Sequence, residues 1–178
     1  MMDGQKWQDQ GVAHYQAGAY AEAIDAFINA RAMYEKAGDQ GSAAEVLNNQ
    51  GVIYRMLGQL EEAEAAFTEA RTLFARLGDT GRQAQATANL GMLAVARGKT
   101  EPAIVFFREA IAAFQTQGDR IRESDTWRTL SAAYLRKRRW LDALAAYSAA
   151  LDCLPRLSLG QRFLRWLFRV PLYLIARR

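Results

Sequence analysis

The sequence predicts an all-α protein built from stacked helix pairs, and three observations predict it. First, side chains recur in rows forty residues apart. Gly11, Gly51 and Gly91 form one row with Ser131 in fourth place, and Ala23, Ala63, Ala103 and Ala143 form another. Phe27, Phe67, Phe107 and Tyr147 make an aromatic row, and Ala30, Ala70, Ala110 and Ala150 a second alanine row. Several rows in one register mark an internal repeat. Second, alanine occurs 33 times in 178 residues while valine, isoleucine and threonine are scarce, which disfavours sheet. Third, Gly38-Asp39, Gly78-Asp79 and Gly118-Asp119 punctuate the chain at the same interval. Glycine there suits the left-handed residue that ends a helix, and aspartate caps the next one.

Taken in order, the first unit (about 4–40) places Trp7, Gln10, Gly11 and His14 on its first helix, turns at Gly18, and carries Ala23, Phe27 and Ala30 on its second. In the second unit (41–80) the first helix is expected over 42–57, the turn at Gly58, and the second helix over 60–77. Leu47, Gln50, Gly51 and Tyr54 face Ala63, Phe67 and Ala70 there. The third unit (81–120) repeats Leu90 and Gly91, a turn at Gly98, then Ala103, Phe107 and Ala110. The fourth (121–155) carries Trp127, Leu130, Ser131 and Tyr134 with Ala143, Tyr147 and Ala150, but Arg138 occupies the turn-glycine place. Pro155 should stop the last helix near Leu154 and separates the repeats from a tail, 156–178. Small residues at fixed places let helices approach closely, and the aromatic row is expected to fill the space between neighbouring pairs. One pair cannot bury its apolar face alone, so the pairs stack into a solenoid.

These residues resemble the tetratricopeptide repeat pattern over about 4–155. The forty-residue unit, against thirty-four in the basic repeat, is similar to the longer-helix variety of kinesin light chains and several bacterial regulators. The resemblance implies a right-handed solenoid whose first helices line a concave face holding a peptide or a partner helix. Carried over position by position, the groove residues are Gln8, Val12, Asn48, Asn49, Val52, Arg55, Met56, Gln85, Asn89, Met92, Arg128 and Arg136. Asn49 and Asn89 stand where longer-repeat relatives use asparagine to bind a peptide backbone, since an amide both donates and accepts. The alternative, that they serve helix ends or water, stays open. Relatives that grip a chaperone's C-terminal carboxylate do so with lysines and an arginine at defined groove positions; the corresponding places here hold Gln8, Val12, Asn49, Gln85 and Asn89, of which only one matches, so a chaperone tail is not the expected ligand.

No phosphate-cradling glycine loop, zinc-ligand spacing or Gly-x-Ser-x-Gly elbow is present, and the single Cys153 excludes an internal disulfide. His14, the lone histidine, reads as a packing residue in the repeat's tyrosine position, Cys153 as a small packing residue, and Glu61 and Glu62 as solvated carboxylates favouring a helix start. No catalytic, metal or cofactor residue is expected. The opening MMDGQKW lacks an apolar run, so the cytoplasm is the expected compartment.

Charge is uneven. Residues 1–119 hold 10 basic and 15 acidic residues, whereas 120–178 hold 13 and 4, which points the C-terminal third toward an anionic partner. On a helix advancing about 100° per residue, Arg162, Arg165 and Arg169 share one stripe, flanked by Trp166 and Tyr173. Phe163, Leu167, Val170 and Leu174 lie on the broad opposite side, and Pro171 kinks the segment. This C-terminal amphipathic helix is too short and too charged to span a bilayer and reads as an interfacial anchor on a cytoplasmic membrane face. Capping the repeats, or pairing with a second copy, is the competing reading. The basic third lacks a nucleic-acid-reading motif, which argues against that partner. The expected function is a non-enzymatic scaffold or assembly factor at a membrane surface. The alternative is a soluble peptide-sensing regulator whose tail caps the solenoid or mediates oligomerisation.

Overall fold

The structure, a computed structural model, describes residues 3–154 and 158–164. Among them run eight longer helices and no strand: α1 (Gly4–Gln16), α2 (Tyr20–Ala37), α3 (Gln40–Met56), α4 (Leu60–Arg76), α5 (Thr80–Ala96), α6 (Thr100–Gln117), α7 (Arg120–Arg136) and α8 (Trp140–Cys153). A short helical segment follows at 159–164. The expected stop at Pro155 lies outside the described residues. The chain divides into two compact units, Met1–Arg97 and Gly98–Arg178. In the first, each helix from α1 to α5 packs on the next and α3 also meets α5; in the second, α7 packs on both α6 and α8.

The punctuation behaves as its chemistry requires. Gly38 and Gly118 close α2 and α6 in the left-handed region at φ 75° and 71°. Asp39, Asp79 and Asp119 then accept the backbone N–H groups of Ser42, Arg82 and Arg122 at 3.0, 2.9 and 3.0 Å. These caps start α3 at Gln40, two residues earlier than its apolar pattern indicates. The same device at Asp3, bonded to Lys6 N at 2.9 Å, starts α1. The second helix of each pair has no side-chain cap, but Glu22, Glu61, Glu62, Glu101 and Asp142 sit in first turns, where their charge favours the helix dipole. Arg138 takes the left-handed turn position at φ 56°, beside glycines at 76°, 77° and 73° in the other three turns.

The aromatic row does more than fill space between neighbouring pairs. A Cβ placed on Gly11 or Gly51 would lie 2.6 Å from the ring of Phe27 or Phe67, so each ring closes on a glycine of its own pair. Phe27 belongs at the same time to a cluster with Val46 and Ile53 of α3. The glycine row therefore makes room for a ring, each such burial contributing about 1.5–3 kcal/mol. In fourth place Ser131 is buried and its Oγ donates to the Ala143 carbonyl at 2.7 Å, a polar bridge from α7 to α8.

Candidate peptide-binding cleft

Within the first unit, α1 and α3 carry most of the expected groove residues. Val12, Asn49 and Val52 converge with Tyr15, Gln16 and Phe27 on one cleft of about 250 Å³. Val12 and Tyr15 are exposed, Asn49 and Val52 half-buried, and Phe27 closes the floor. Tyr15 also leans on Tyr20, ring centroids 6.2 Å apart. Such a surface offers apolar contact beside two amides, Gln16 and Asn49, that both donate and accept, the requirement for holding a chain by side chain and backbone together.

The remaining first-unit residues have other work. Asn89 donates from Nδ2 to Oδ1 of buried Asn48 at 2.9 Å, tying α5 to α3. Gln8 accepts from the Tyr34 hydroxyl at 2.7 Å and donates to Glu45 at 3.3 Å. Arg82 reaches the same Glu45 at 3.4 Å while holding Asp79 at 2.6 Å, so one polar network runs over α1, α2, α3 and α5. Arg55 is half-buried, with its Nε enclosed and lacking a hydrogen-bond partner. Met56 is exposed at the end of α3, and Gln85 and Met92 are half-buried along α5. Glu61, solvated as expected with its side chain 85% exposed, also joins Glu64 and the Leu60 carbonyl in holding Arg97, at 3.1 Å from Glu61 and 3.0 Å from the carbonyl.

In the second unit, Arg128 lies with Asp125, Thr129, Ala132, Leu135 and Tyr147 along a separate open cleft of about 610 Å³. Arg128 pairs with Asp125 at 3.4 Å. Arg136 is exposed at the end of α7 and does not itself line that cleft. The unit also buries a carboxylate, Glu123, only 2% exposed. Burial alone would raise its pKa, but hydrogen bonds from Gln115, Cys153 and Trp127, with the Arg120 charge, outweigh it and hold the carboxyl below its ordinary value. Burial, and then Glu123 itself, push the Cys153 thiol up to about 11, so the sulfur is a protonated packing group. Among the described residues no cluster of His, Cys, Asp or Glu is arranged to hold a metal ion, and no helix is long and apolar enough to cross a membrane. Of the expected tail contacts, Arg162 and Phe163 are exposed; Arg165, Trp166, Leu167, Arg169, Val170, Tyr173 and Leu174 lie outside the described residues.

A family model described as tetratricopeptide repeat matches residues 6–76 and 42–116, together more than half of the chain. The chain belongs to the tetratricopeptide repeat family. Two solved structures share this tetratricopeptide fold. BtubC (BKLC) from P. vanneervenii superposes with a TM-score of 0.75 at 24% identity, over 87% of this chain and 68% of that one. The Rap conjugation gene regulator of plasmid pLS20, solved in complex with the Phr* peptide, gives 0.76 at 23% identity over 84% of this chain. The present tetratricopeptide chain spans only 41% of that regulator's length. No curated protein matches the sequence. Tyr15 is the cleft residue the repeat pattern passed over. It stands one helical turn after Val12, and the signal that marks it is that spacing.

Proposed function

We propose that this tetratricopeptide protein is a non-enzymatic docking module that holds a peptide segment of another protein in the α1–α3 cleft. The observation that carries the reading is the convergence of Val12, Tyr15, Gln16, Asn49 and Val52 on one open, mixed apolar and amide surface. The Rap regulator's complex with a peptide supports the class of ligand. Asn49 is the backbone-binding amide, and Asn89 positions α5 through Asn48.

Selection from a displayed library of short peptides tests this. The wild-type chain should enrich a family of sequences that Val52→Arg no longer retains and that Asn49→Ala retains at least tenfold less well. Asn89→Ala should lower thermal stability, because it leaves a buried acceptor unpaired at a cost of about 1–3 kcal/mol. Identical enrichment by wild type and Val52→Arg would remove the cleft from the function.

A second reading, attachment to an anionic membrane surface, is favoured by the exposure of Leu159, Arg162 and Phe163 ahead of an acid-free, arginine-bearing terminus. It gives the same docking module a place of work.

A further inference from the structure

The turn between α7 and α8 departs from the other three in backbone, charge and cover together. Arg138 takes the left-handed conformation at φ 56° where Gly18, Gly58 and Gly98 serve the other turns. A side-chain-bearing residue is strained there, and such strain persists where a further interaction offsets it. Among the described residues the Arg138 guanidinium has no ion-pair or hydrogen-bond partner to supply one.

Its neighbours are cations too. Arg136, Lys137, Arg138 and Arg139 run consecutively, whereas Ala17-Gly18-Ala19 and Leu57-Gly58-Gln59 carry no charge. The third turn has Arg97 and Lys99, but Glu61 and Glu64 hold Arg97. In the fourth, Lys137 lies 4.0 Å from Glu101 and Arg139 pairs with Asp142 at 2.7 Å, which leaves the cluster net positive. Every residue from Leu135 to Leu141 is exposed, while each of the other turns shelters part of the same stretch. Trp140 is 63% and Leu141 54% exposed. The place of Leu141 is exposed in every copy, as Ala21, Glu61 and Glu101, so it faces solvent and not a neighbouring helix pair. Where two copies show solvent an acid, the last one shows leucine beside the cations.

We propose that this turn is a docking point for an anionic bilayer surface, its cations on headgroup phosphates and Trp140 and Leu141 in the boundary with the acyl chains. Arginine meets phosphate through a planar fork, and a bilayer receives apolar side chains without a matching pocket. A nucleic-acid backbone would answer the charges but not the leucine. The proposal rests on the membrane reading given above, but not on the terminal segment, which every variant below retains.

Flotation of the full chain with phosphatidylglycerol vesicles at low salt separates the two. Arg138→Gly should lower the partition coefficient about fivefold, the loss of one basic residue near the surface, while its thermal midpoint rises because glycine relaxes the turn. Leu141→Glu, which restores the acid of its row, should lower partition about tenfold. Wild-type partition in both variants overturns the proposal and leaves attachment to the terminus; a wild type that does not float overturns both. A nitrobenzoxadiazole label on Leu141→Cys, in a Cys153→Ser background, should brighten and shift to the blue with phosphatidylglycerol vesicles and not with phosphatidylcholine. An unchanged spectrum on vesicles that carry the protein overturns the assignment. Loss of binding to a short DNA duplex in Arg138→Gly, with flotation unchanged, assigns the turn to nucleic acid and overturns it as well.

Discussion

At the scale of single residues, glycine and buried charge carry the consequences. Gly51 faces the Phe67 ring so closely that Gly51→Ala must push the ring or the helix aside. The expected loss is about 1–3 kcal/mol, the range for overpacking a filled core, seen as a lower thermal midpoint. The forty-residue rows made this glycine visible in the sequence, but not its purpose, because a spacing names a position and not the group opposite it. The same gap explains Asn89. Its groove address was readable, whereas its bond to Asn48 depends on the approach of α5 to α3, which no local pattern encodes. Tyr15 went unseen although its row-mate forty residues on, Arg55, has a groove address: the row runs Tyr15, Arg55, Val95 and so mixes chemistries.

Helices and their ends set the next scale. Arg138 adopts a left-handed backbone that costs a side-chain-bearing residue about 1–2 kcal/mol, with glycine as the relaxed alternative. Arg138→Gly should raise the thermal midpoint of the second unit, and an unchanged or lower midpoint would show that the arginine side chain offsets the strain. The caps make the helices sensitive to acid. The backbone N–H of Ser42 is the largest cause holding Asp39 below its ordinary pKa, and at Asp79 the bonds and charge of Arg82 outweigh burial. Glu123 is lowered as well. For carboxylates depressed on folding, the stabilisation is complete above their unfolded values, about 4, and disappears as pH falls through the lower folded values. Melting midpoints should be flat from pH 7 to about 5 and then drop, and Asp79→Asn should make that drop shallower. Helix positions were legible from Gly-Asp punctuation to within two residues, since capping is local chemistry.

Across the whole molecule, charge is the property that the repeats do not share. The first 119 residues are net acidic and the rest strongly basic. If the terminus meets lipid, co-flotation of the full chain with phosphatidylglycerol vesicles should be strong at low salt and fall steeply as salt approaches several hundred millimolar, because each basic residue near such a surface contributes about 1 kcal/mol that screening removes. Flotation that ignores salt, or that occurs equally on phosphatidylcholine, would sink the electrostatic part of that reading. The fold class was legible over most of the chain because four copies of one pattern reinforce one another. The partner was not, because the shared rows of Val12, Val52 and Phe27 report a groove and its packing, whereas Tyr15 and Gln16, which lend the cleft its own character, stand where the copies differ.

The closure of each ring on a glycine of its own pair bears on how such a chain changes length over evolutionary time. Phe27 with Gly11, and Phe67 with Gly51, give each of the first two pairs its own fastening. Tandem duplication or loss of one full period therefore leaves each surviving fastening whole, whereas an insertion of partial length separates a ring from its glycine. Growth by whole modules is the route this packing leaves open.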